Sequence, residues 1–225
     1  MPTYFDYGEQ ELNYLRKKDR RLAAIIDQMG IINVPVTPDL FEALANSIIG
    51  QQISIKAQLS IQGRFKERLG GAVTPTAVLA MPVDEMRSCG MSERKATYIR
   101  RAAKRIVEGE FDIEALREMD DEAVCQRLMS LDGVGRWTAE MLMIDSMQRP
   151  NVLSFGDLGI QRGLRMIYRH RNITPELFAK YRRRFSPYCT VASFYIWYAG
   201  SGGVPGLTDP ASKQGRNASP RVVGK

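Results

Sequence analysis

The chain has 225 residues, and its 44% hydrophobic content is ordinary for a globular protein long enough to bury a sizeable core. Lysine and arginine together number 32 against 25 aspartates and glutamates, which gives a formal net charge of +7 at pH 7. This excess favours an anionic partner, with nucleic acid first and a membrane surface second, although solubility alone would explain it equally well. A membrane-surface role is disfavoured because the basic residues are dispersed along the chain.

The supply of cysteine and histidine argues against several classes of protein. The three cysteines are far apart, form no C-x-x-C pair and are odd in number, so a disulfide framework, a zinc site or an iron–sulfur cluster is not expected. His170 is the only histidine, so histidine-based triads lack their usual parts. The N-terminal segment has no signal-peptide pattern, and no apolar run is long enough to cross a bilayer. We expect a soluble, cytoplasmic monomer, nucleoid-associated in a bacterium, without a required cofactor.

The apolar periodicity predicts an all-α fold, and no alternating strand pattern of any length is present. One long helix is expected over residues 9–29, where large apolar residues recur at helical spacing. Pro35 and Pro38 interrupt the chain, and Asp39 then begins the next helix. Further helices are predicted, in chain order, in SIKAQLSIQGRFKERL, TPTAVLAM, a segment from Pro82, CGMSERKATYIRRAAKRIVEG, FDIEALREM, DDEAVCQRLMSL, GRWTAEMLMIDSM, LGIQRGLRMIY, TPELFAKYRRRF and YCTVASFYIWYAG.

The composition changes after Ser201, where Gly, Pro, Ser and Asn dominate and large apolar residues are few. Such a segment buries too little apolar surface to fold, so residues 204–225 are expected to form a disordered tail. Its basic residues either add non-specific affinity for a polyanion or belong to a solvated chain end with no fixed role. They are Lys213, Arg216, Arg221 and Lys225.

Two glycines flank a single valine in LMSLDGVGRWTAEML, residues 128–142, between two predicted helices. Glycine tolerates positive φ and lets another backbone approach closely. The turn opens a new helix whose first N–H groups can bind a phosphate, and that contact needs no particular base sequence. A lone G-x-G is more often an ordinary helix cap, but the context L-x-x-L-D-G-V-G-R-W-T-A is much more specific.

This stretch, with FGDLGIQRG at 155–163, resembles the helix–hairpin–helix motif and downstream aspartate of a DNA glycosylase superfamily. Within the superfamily it is similar to the AlkA-type 3-methyladenine DNA glycosylase II branch. SIIGQQISIKA, CGMSERKATYIRRAA and SPYCTVASFYIWYAG support the resemblance, which covers roughly residues 10–200. It implies two helical lobes with a central DNA-binding cleft. Residues 1–35 and 150–203 would form the terminal lobe, and residues 36–149 a helical barrel lobe ending in the motif.

The resemblance also implies ligands at the hairpin. The implied phosphate-binding set is Gly133, Gly135, Arg136 and Thr138. A structural Na⁺ or K⁺ that bridges to the phosphate would be held by the backbone carbonyls of Met129, Leu131 and Val134.

Asp157 matches the family's catalytic aspartate. Breaking an N-glycosidic bond leaves positive charge on the sugar, and a nearby carboxylate stabilises that charge and can orient or deprotonate the attacking water. Alkylated purines already carry positive charge, so one carboxylate suffices without a strong general acid or a metal. Asp157 is also placed to cap the following helix, and both roles can hold together because a cap fixes the direction of the carboxylate. Asp132, beside the phosphate contact, and Asp145, inside a helix with no predicted cleft position, are weaker candidates.

Trp137 decides the subclass of the predicted enzyme. Members of the superfamily that also cut the strand carry a lysine at this position, whose amine forms a Schiff base with the sugar, and an indole cannot do that. We therefore expect a monofunctional hydrolase that releases bases of the 3-methyladenine and 7-methylguanine type and leaves an abasic site. The indole itself either faces a cationic base in the pocket or belongs to the core, with equal weight.

A flipped-out base leaves a gap in the stack that a side chain must fill. Gln51 and Gln52 lie at a helix junction where related glycosylases insert glutamine or asparagine, although two solvent-facing amides are the alternative. By the resemblance, an apolar side chain of the GMSERKA loop also enters the duplex, and Glu93 stands at the matching position. A carboxylate is a poor wedge among phosphates, so Met91 or Gln52 would take that role.

The remaining expected contacts concern the base and the DNA backbone. The implied base pocket contains Trp137, Leu158, Phe185 and Tyr188, whereas Trp197 and Tyr198 are expected in the core. The DNA backbone would be held by Lys95, Arg100, Arg101, Arg136 and Arg162, which makes binding salt-dependent.

Two other functions stay open. A non-catalytic helix–hairpin–helix module that holds bent or damaged DNA would need no carboxylate after the hairpin, so Asp157 counts against it. A glycosylase for an oxidised or deaminated base is also compatible, because pocket shape sets lesion specificity. All three hypotheses give double-stranded DNA as the partner.

Overall fold

The computed structural model describes residues 3–211, which divide into two compact units. The central unit contains residues 3–5 and 35–149, and the terminal unit contains residues 6–34 and 150–211. Residues 3–5 therefore belong to the central unit, whereas residues 1–35 were all predicted in the terminal lobe. The reason is that Thr3–Tyr4 (β1) pairs antiparallel with Pro35–Val36 (β2).

Helices dominate both units, which confirms the all-α prediction, and β1 and β2 form the one sheet within residues 3–211. The helices of the terminal unit are α1 (Glu9–Lys18), α2 (Arg20–Met29), α10 (Leu158–Tyr168), α11 (Pro175–Phe185) and α12 (Cys189–Gly200). The helices of the central unit are α3 (Leu40–Gly50), α4 (Ile55–Arg68), α5 (Pro75–Ala80), α6 (Val83–Ser88), α7 (Glu93–Val107), α8 (Asp121–Met129) and α9 (Arg136–Asp145). A 3₁₀ turn at Glu114–Glu118 replaces the short helix predicted there.

Most helices start where a short polar side chain caps them. The carboxylate of Asp39 accepts the N–H of Glu42 at 2.7 Å, as its predicted role at the start of α3 requires. The same type of cap begins five further helices, through Ser54, Thr74, Ser92, Asp120 and Thr174. These caps explain why helix starts could be read from the sequence.

The single helix predicted over residues 9–29 is instead two helices, α1 and α2, and the break falls at Asp19. Asp19 is extended (φ −150°), and its Oδ1 accepts the N–H groups of Arg21 and Leu22. Its other oxygen accepts from Arg184 at 2.5 Å, so this buried carboxylate is fully paired. A buried charge must be compensated, and the cap together with the ion pair outweighs continuation of the helix.

The terminal unit is built around a crossing of α10 and α12 in which the two backbones touch. A Cβ added to Gly163 of α10 would lie 2.1 Å from the carbonyl oxygen of Ile196 in α12. A Cβ added to Gly200 of α12 would lie 2.4 Å from the carbonyl oxygen of Gly159 in α10. Glycine at these positions therefore permits a close approach that any larger residue would prevent.

The chain directly after α12 is ordered, contrary to the predicted tail. Val204 is buried, and Asp209 accepts hydrogen bonds from Arg165 Nε at 3.0 Å and Nη2 at 2.6 Å. The bonds from Arg165 lower the pKa of the Asp209 carboxyl. Residues 212–225, which carry the four basic side chains of the predicted tail, lie outside the described residues.

The three cysteines and the histidine all lie within the described residues. Cys89, Cys125 and Cys189 are buried thiols without disulfide partners among the described residues, and burial raises their pKa values. His170 Nε2 lies 2.8 Å from the hydroxyl of Tyr181. No helix within residues 3–211 is both long and apolar enough to cross a membrane.

A partly buried carboxylate, Asp145, lies at the end of α9 in the central unit. It lines a small polar cavity of about 190 Å³ with the side chains of Asn46, Ser47, Gln58 and Gln62. Asp145 thus lies on a cavity, which its helical pattern did not predict. Burial raises the pKa of its carboxyl to about 6.

We expect Gly163→Ala to destabilise the protein by at least about 3 kcal/mol, because the added methyl group would overlap a backbone oxygen that cannot move away. Gly63→Ala is the matched control, since Gly63 lies in α4 with nothing within 4 Å of its Cβ position. The free energy of unfolding of that variant should rise by about 0.5–1 kcal/mol, because alanine has a higher helix propensity than glycine. Denaturant unfolding measures both, and equal effects would contradict the close contact.

The Asp145 carboxyl predicts a pH-dependent difference in stability. Its pKa is higher in the folded state than in the unfolded chain, so the stability that its proton confers is present below about pH 4 and lost by about pH 6. Asp145→Asn should therefore be more stable than wild type by about 2–3 kcal/mol at pH 8, and nearly equal to it at pH 4. Asp132→Asn, which removes a half-exposed carboxylate paired with Arg101, should change stability by less than about 1 kcal/mol. A pH-independent difference for Asp145→Asn would refute the assignment.

Candidate active site and hairpin

Asp157 is the last residue before α10, where its side chain is buried and hydrogen-bonded. Its Oδ1 accepts the backbone N–H of Ile160 at 2.8 Å, which is the expected cap of α10. The same oxygen accepts the indole Nε1–H of Trp197 at 2.9 Å. Two donors on one oxygen fix the plane of the carboxylate, so the cap and a chemical role are compatible, as the sequence suggested.

Trp197 is the partner that the sequence analysis missed, since it was expected in the core. It is only partly buried, and its polar edge meets Asp157. Gly159 makes room for this contact, because a Cβ there would lie 2.9 Å from Trp197 Cδ1 and 3.1 Å from Asp157 Oδ1. The signal in the sequence was the indole N–H itself, which normally finds a hydrogen-bond acceptor when it is buried.

Two large apolar side chains stand on either side of Asp157 in the sequence, and both are unusually exposed. Leu158, a predicted pocket residue, is 82% exposed at the first position of α10. Phe155 is 38% exposed, with its ring edge-on to Phe178 at 5.1 Å. Exposed apolar surface next to a buried carboxylate suits an aromatic ligand, and Phe155 is a second residue that sequence reasoning missed.

The two other predicted pocket aromatics of the terminal unit have structural contacts instead. Phe185 is fully buried and stacks on Tyr181 at 6.0 Å, so its place in a base pocket stays a prediction. Tyr188 is partly buried, lies edge-on to Tyr14 at 5.2 Å and accepts a hydrogen bond from Gln10 at 3.0 Å. These contacts tie Tyr188 to α1. Trp137, the pocket candidate of the central unit, is 40% exposed in the first turn of α9.

The hairpin between α8 and α9 is a tight turn that requires glycine at one of its two positions. The N–H of Val134 donates to the carbonyl of Leu131 at 3.2 Å, and Gly133 between them has φ +78°. A Cβ at Gly133 would lie 2.2 Å from the ring of Tyr98. Gly135 differs, because its φ is −97° and nothing lies within 4 Å of its Cβ position. The fold therefore does not require glycine at position 135. The open space beside its backbone can accommodate an external group.

The predicted phosphate site has its backbone groups in place but not its side chains. Gly135 is the N-cap of α9, and the first N–H groups of a helix lack intrahelical acceptors and attract anions. The side chain of Arg136 forms a bidentate ion pair with Glu122 at 2.7 and 3.1 Å. Thr138 is 3% exposed, and its hydroxyl accepts from Gln51 at 3.3 Å. The backbone N–H groups of Arg136 and Thr138 are therefore available to a phosphate, whereas the Arg136 side chain would first have to leave Glu122.

The three carbonyls proposed for a monovalent cation belong to the same turn. Met129 is the last residue of α8, where carbonyls lack intrahelical donors. The Leu131 oxygen accepts the Val134 N–H and keeps a second lone pair. Carbonyl oxygens at a helix C-terminus suit a hard cation, so the donor set with Val134 fits the expected Na⁺ or K⁺.

The four candidates for filling the gap divide sharply by exposure. Gln51 uses its amide to donate to the carbonyl of Gly133 at 2.9 Å. Gln52 is exposed and has φ +59°. Met91 is only 5% exposed and belongs to the core, so a role as a wedge stays a prediction that requires its side chain to leave the core. Glu93 begins α7 with a side chain that is 71% exposed and 3.9 Å from Arg87.

The cations expected to hold the DNA backbone already have partners within the protein. Lys95 and Arg100 each donate to two backbone carbonyls. Arg101 pairs with Asp132 at 2.8 Å, and Arg162 lies 3.8 Å from Asp209. Together with the Arg136–Glu122 pair, these contacts mean that net charge alone did not identify DNA-contacting side chains. Asp132, one of the two alternative candidates for the catalytic carboxylate, forms an ion pair with Arg101.

Comparison with known proteins extends this picture. Residues 45–187 match the model of the HhH-GPD superfamily base excision DNA repair protein. DNA-3-methyladenine glycosylase 1 of Schizosaccharomyces pombe is 32% identical over 199 residues, which is 87% of each chain. A DNA-3-methyladenine glycosidase structure from Bacillus halodurans is similar with a TM-score of 0.77 and 34% identity, over 89% of this chain and 94% of that one. The S. pombe 3-methyladenine DNA glycosylase Mag1, solved with abasic DNA, gives 0.79 and 27% identity over 88% and 99%.

The match to the family model spans both the hairpin and Asp157, the two features on which the sequence resemblance depends. The two solved structures cover nearly the whole described chain at high structural similarity. The resemblance is thereby confirmed, and the chain belongs to the HhH-GPD superfamily of base excision DNA repair proteins.

Proposed function

We propose that the protein is a DNA glycosylase of the 3-methyladenine type, which hydrolyses the N-glycosidic bond of alkylated purines in duplex DNA. The observation that carries this proposal is the buried Asp157 carboxylate, held by the N–H of Ile160 and the indole of Trp197. The relatives named as 3-methyladenine glycosylases support the substrate class. The expected products are a free base and an abasic site.

Asp157 acts on the sugar in this proposal. A purine alkylated at N3 or N7 is a cationic leaving group, so departure of the base moves positive charge onto the sugar ring. The buried carboxylate stabilises that charge, because its negative charge is fixed in direction before the reaction and lies in a region of low dielectric. The same carboxylate can orient or deprotonate the water that attacks the sugar carbon. The exposed Leu158 and Phe155 would offer the released base an apolar surface.

The enzyme is proposed to be monofunctional. Strand cleavage by a Schiff base needs an amine next to the sugar carbon, and position 137 carries an indole. Lys95 of the central unit donates to the carbonyls of Ile49 and Gln51 at 2.7 and 2.6 Å. Burial lowers the pKa of Lys95, but the amine is engaged by the backbone and is unsuited to attack.

DNA binding is proposed to depend on the hairpin rather than on arginine side chains. A phosphate would meet the N–H groups at the start of α9, where Gly135 leaves the backbone uncovered. The carbonyls of Met129, Leu131 and Val134 would hold the monovalent cation beside it, which would supply positive charge to the phosphate. We propose that a monomer binds duplex DNA in this way in the cytoplasm, and at the nucleoid if the source organism is a bacterium.

Asp157→Asn tests the catalytic assignment, since the amide keeps the shape of the side chain but loses its charge. We expect wild type to release 3-methyladenine or 7-methylguanine from methylated duplex DNA, and the variant to be slower by about 10²–10³-fold or more. Strand breaks should appear only after alkali. Asp145→Asn is the matched control and should keep full activity. Equal rates for wild type and Asp157→Asn would place catalysis elsewhere, and no release by wild type, with DNA still bound, would exclude alkylated bases as substrates.

Trp197→Phe tests the orientation of the carboxylate. The ring remains but the N–H donor to Asp157 is lost, so the single-turnover rate should fall by roughly tenfold, as for one hydrogen bond to a charged group. Affinity for undamaged duplex should stay within about threefold, because the change leaves the hairpin untouched. Trp137→Phe serves as the comparison for loss of an exposed indole. An unchanged rate in Trp197→Phe would show that the cap from Ile160 alone orients Asp157.

A further inference from the structure

In the loop between α3 and α4, Gln51 is bonded both to α7 and to the hairpin between α8 and α9. The amine of Lys95 in α7 donates to the carbonyls of Ile49 at 2.7 Å and of Gln51 at 2.6 Å. The side-chain amide of Gln51 donates in turn to the Gly133 carbonyl at 2.9 Å and to the Thr138 hydroxyl at 3.3 Å. The backbone of Gln51 is thus fixed to α7, and its side chain is fixed to the hairpin.

The next residue, Gln52, has the opposite environment. It is exposed, and its φ of +59° lies in the left-handed region that a glutamine rarely adopts. Such a conformation is strained and persists only where the surroundings enforce it. Exposed apolar side chains follow it, with Ile53 at 37% and Ile55 at 76% exposure. The loop therefore presents Gln52 outward on an apolar surface.

We infer that Gln51 and Lys95 are positioning residues that lock the loop presenting Gln52 to the phosphate-binding hairpin. Phosphate capture by the hairpin and filling of the gap by Gln52 then occur as one rigid movement. The inference rests on the proposed function only in taking damaged duplex DNA as the ligand. It assigns gap filling to Gln52 alone, because Gln51 would have to break its bond to Gly133 to enter the duplex.

The physical reason for such coupling is the loss of loop freedom before binding. An unanchored loop would have to be ordered when the base leaves the stack, and each residue fixed at that moment loses conformational entropy. Lys95 prevents this loss by satisfying the carbonyls at the end of α3, where a helix otherwise leaves acceptors free. Gln51 transmits the position of the hairpin to the loop through its hydrogen bonds to Gly133 and Thr138.

The test uses a duplex with a stable abasic-site analogue opposite 2-aminopurine, whose fluorescence reports whether a side chain fills the gap. No bond is broken in this measurement, so it is independent of glycosylase chemistry. The variants are Gln52→Gly, Gln51→Leu and Lys95→Met, with Lys95→Arg as the conservative replacement that retains two donors. Gln62→Leu is the matched control, because it also removes an amide-to-carbonyl bond, to Asn46 at 3.3 Å, within the same unit.

We expect the fluorescence change at saturating protein to be lost in Gln52→Gly, and the ratio of filled to unfilled gaps to fall roughly tenfold in Gln51→Leu and Lys95→Met. Lys95→Arg should recover most of the signal, and Gln62→Leu should match wild type. Gln51→Leu/Gln52→Gly should be no worse than Gln52→Gly alone, because Gln51 acts through Gln52. Thermal unfolding of each variant identifies any that fail to fold, and Lys95→Arg keeps the Lys95 role testable in that case.

The inference is overturned if Gln51→Leu, folded, fills the gap as wild type does, if the double variant loses gap filling that Gln52→Gly retains, or if wild type gives no fluorescence change. The proposed function is judged separately by release of methylated bases. Gap filling with the expected pattern but without base release would contradict the glycosylase proposal and support the positioning roles. Base release by wild type, with an unchanged fluorescence signal in Gln51→Leu, would support the glycosylase proposal and contradict the positioning roles.

Discussion

The contact on which the proposed active site depends is the meeting of two helix backbones, α10 and α12. Gly163 lies directly against the Ile196 carbonyl, and Gly200 against that of Gly159, so the two helices approach more closely than side chains would allow. This distance determines whether the indole of Trp197 can reach Asp157 across the crossing. A hydrogen bond of 2.9 Å tolerates little displacement, and one methyl group between the helices would exceed it. The orientation of the carboxylate therefore depends on the close approach at Gly159, Gly163 and Gly200, which brings the donor Trp197 within reach of Asp157.

Several lysines and arginines of the described residues form ion pairs or hydrogen bonds within the protein. These contacts change how a basic chain would bind DNA. Arg136, Arg101 and Arg184 pair with carboxylates, and Lys95 and Arg100 bond to carbonyls. An arginine in an ion pair can exchange partners, but it must give up one charge-assisted bond to gain another. Backbone N–H groups at the start of a helix carry no such cost, because the helix leaves them without intrahelical partners. This difference favours a phosphate site made of main chain, which is indifferent to base sequence and so suits a protein that must inspect every sequence.

The sequence predicted features that depend on local chemistry and failed where tertiary packing decides. Helix starts at Asp39 and Ser54 and the glycine turn at Gly133 follow from caps and backbone sterics, which act over a few residues. The break at Asp19 depends on Arg184, which is 165 positions away, and no local pattern contains that partner. Trp197 was assigned to the core because α12 is apolar on nearly all sides, so periodicity gave it no distinct face. Met91 and Phe185 show the same limit, since an apolar residue type does not reveal whether its side chain is buried.

The two adjacent glutamines show how one residue type can have two opposite roles. Gln51 donates its side-chain amide to the Gly133 carbonyl of the hairpin, whereas Gln52 has a left-handed backbone and is exposed. The backbone differs as well, because φ changes from −58° at Gln51 to +59° at Gln52, which puts the two residues in different allowed regions. Glycine would adopt the left-handed conformation without strain, yet it would offer nothing to an unpaired base. A glutamine held there by its neighbours retains both hydrogen-bonding groups of its amide, at the cost of a strained backbone that Lys95 and Gln51 stabilise.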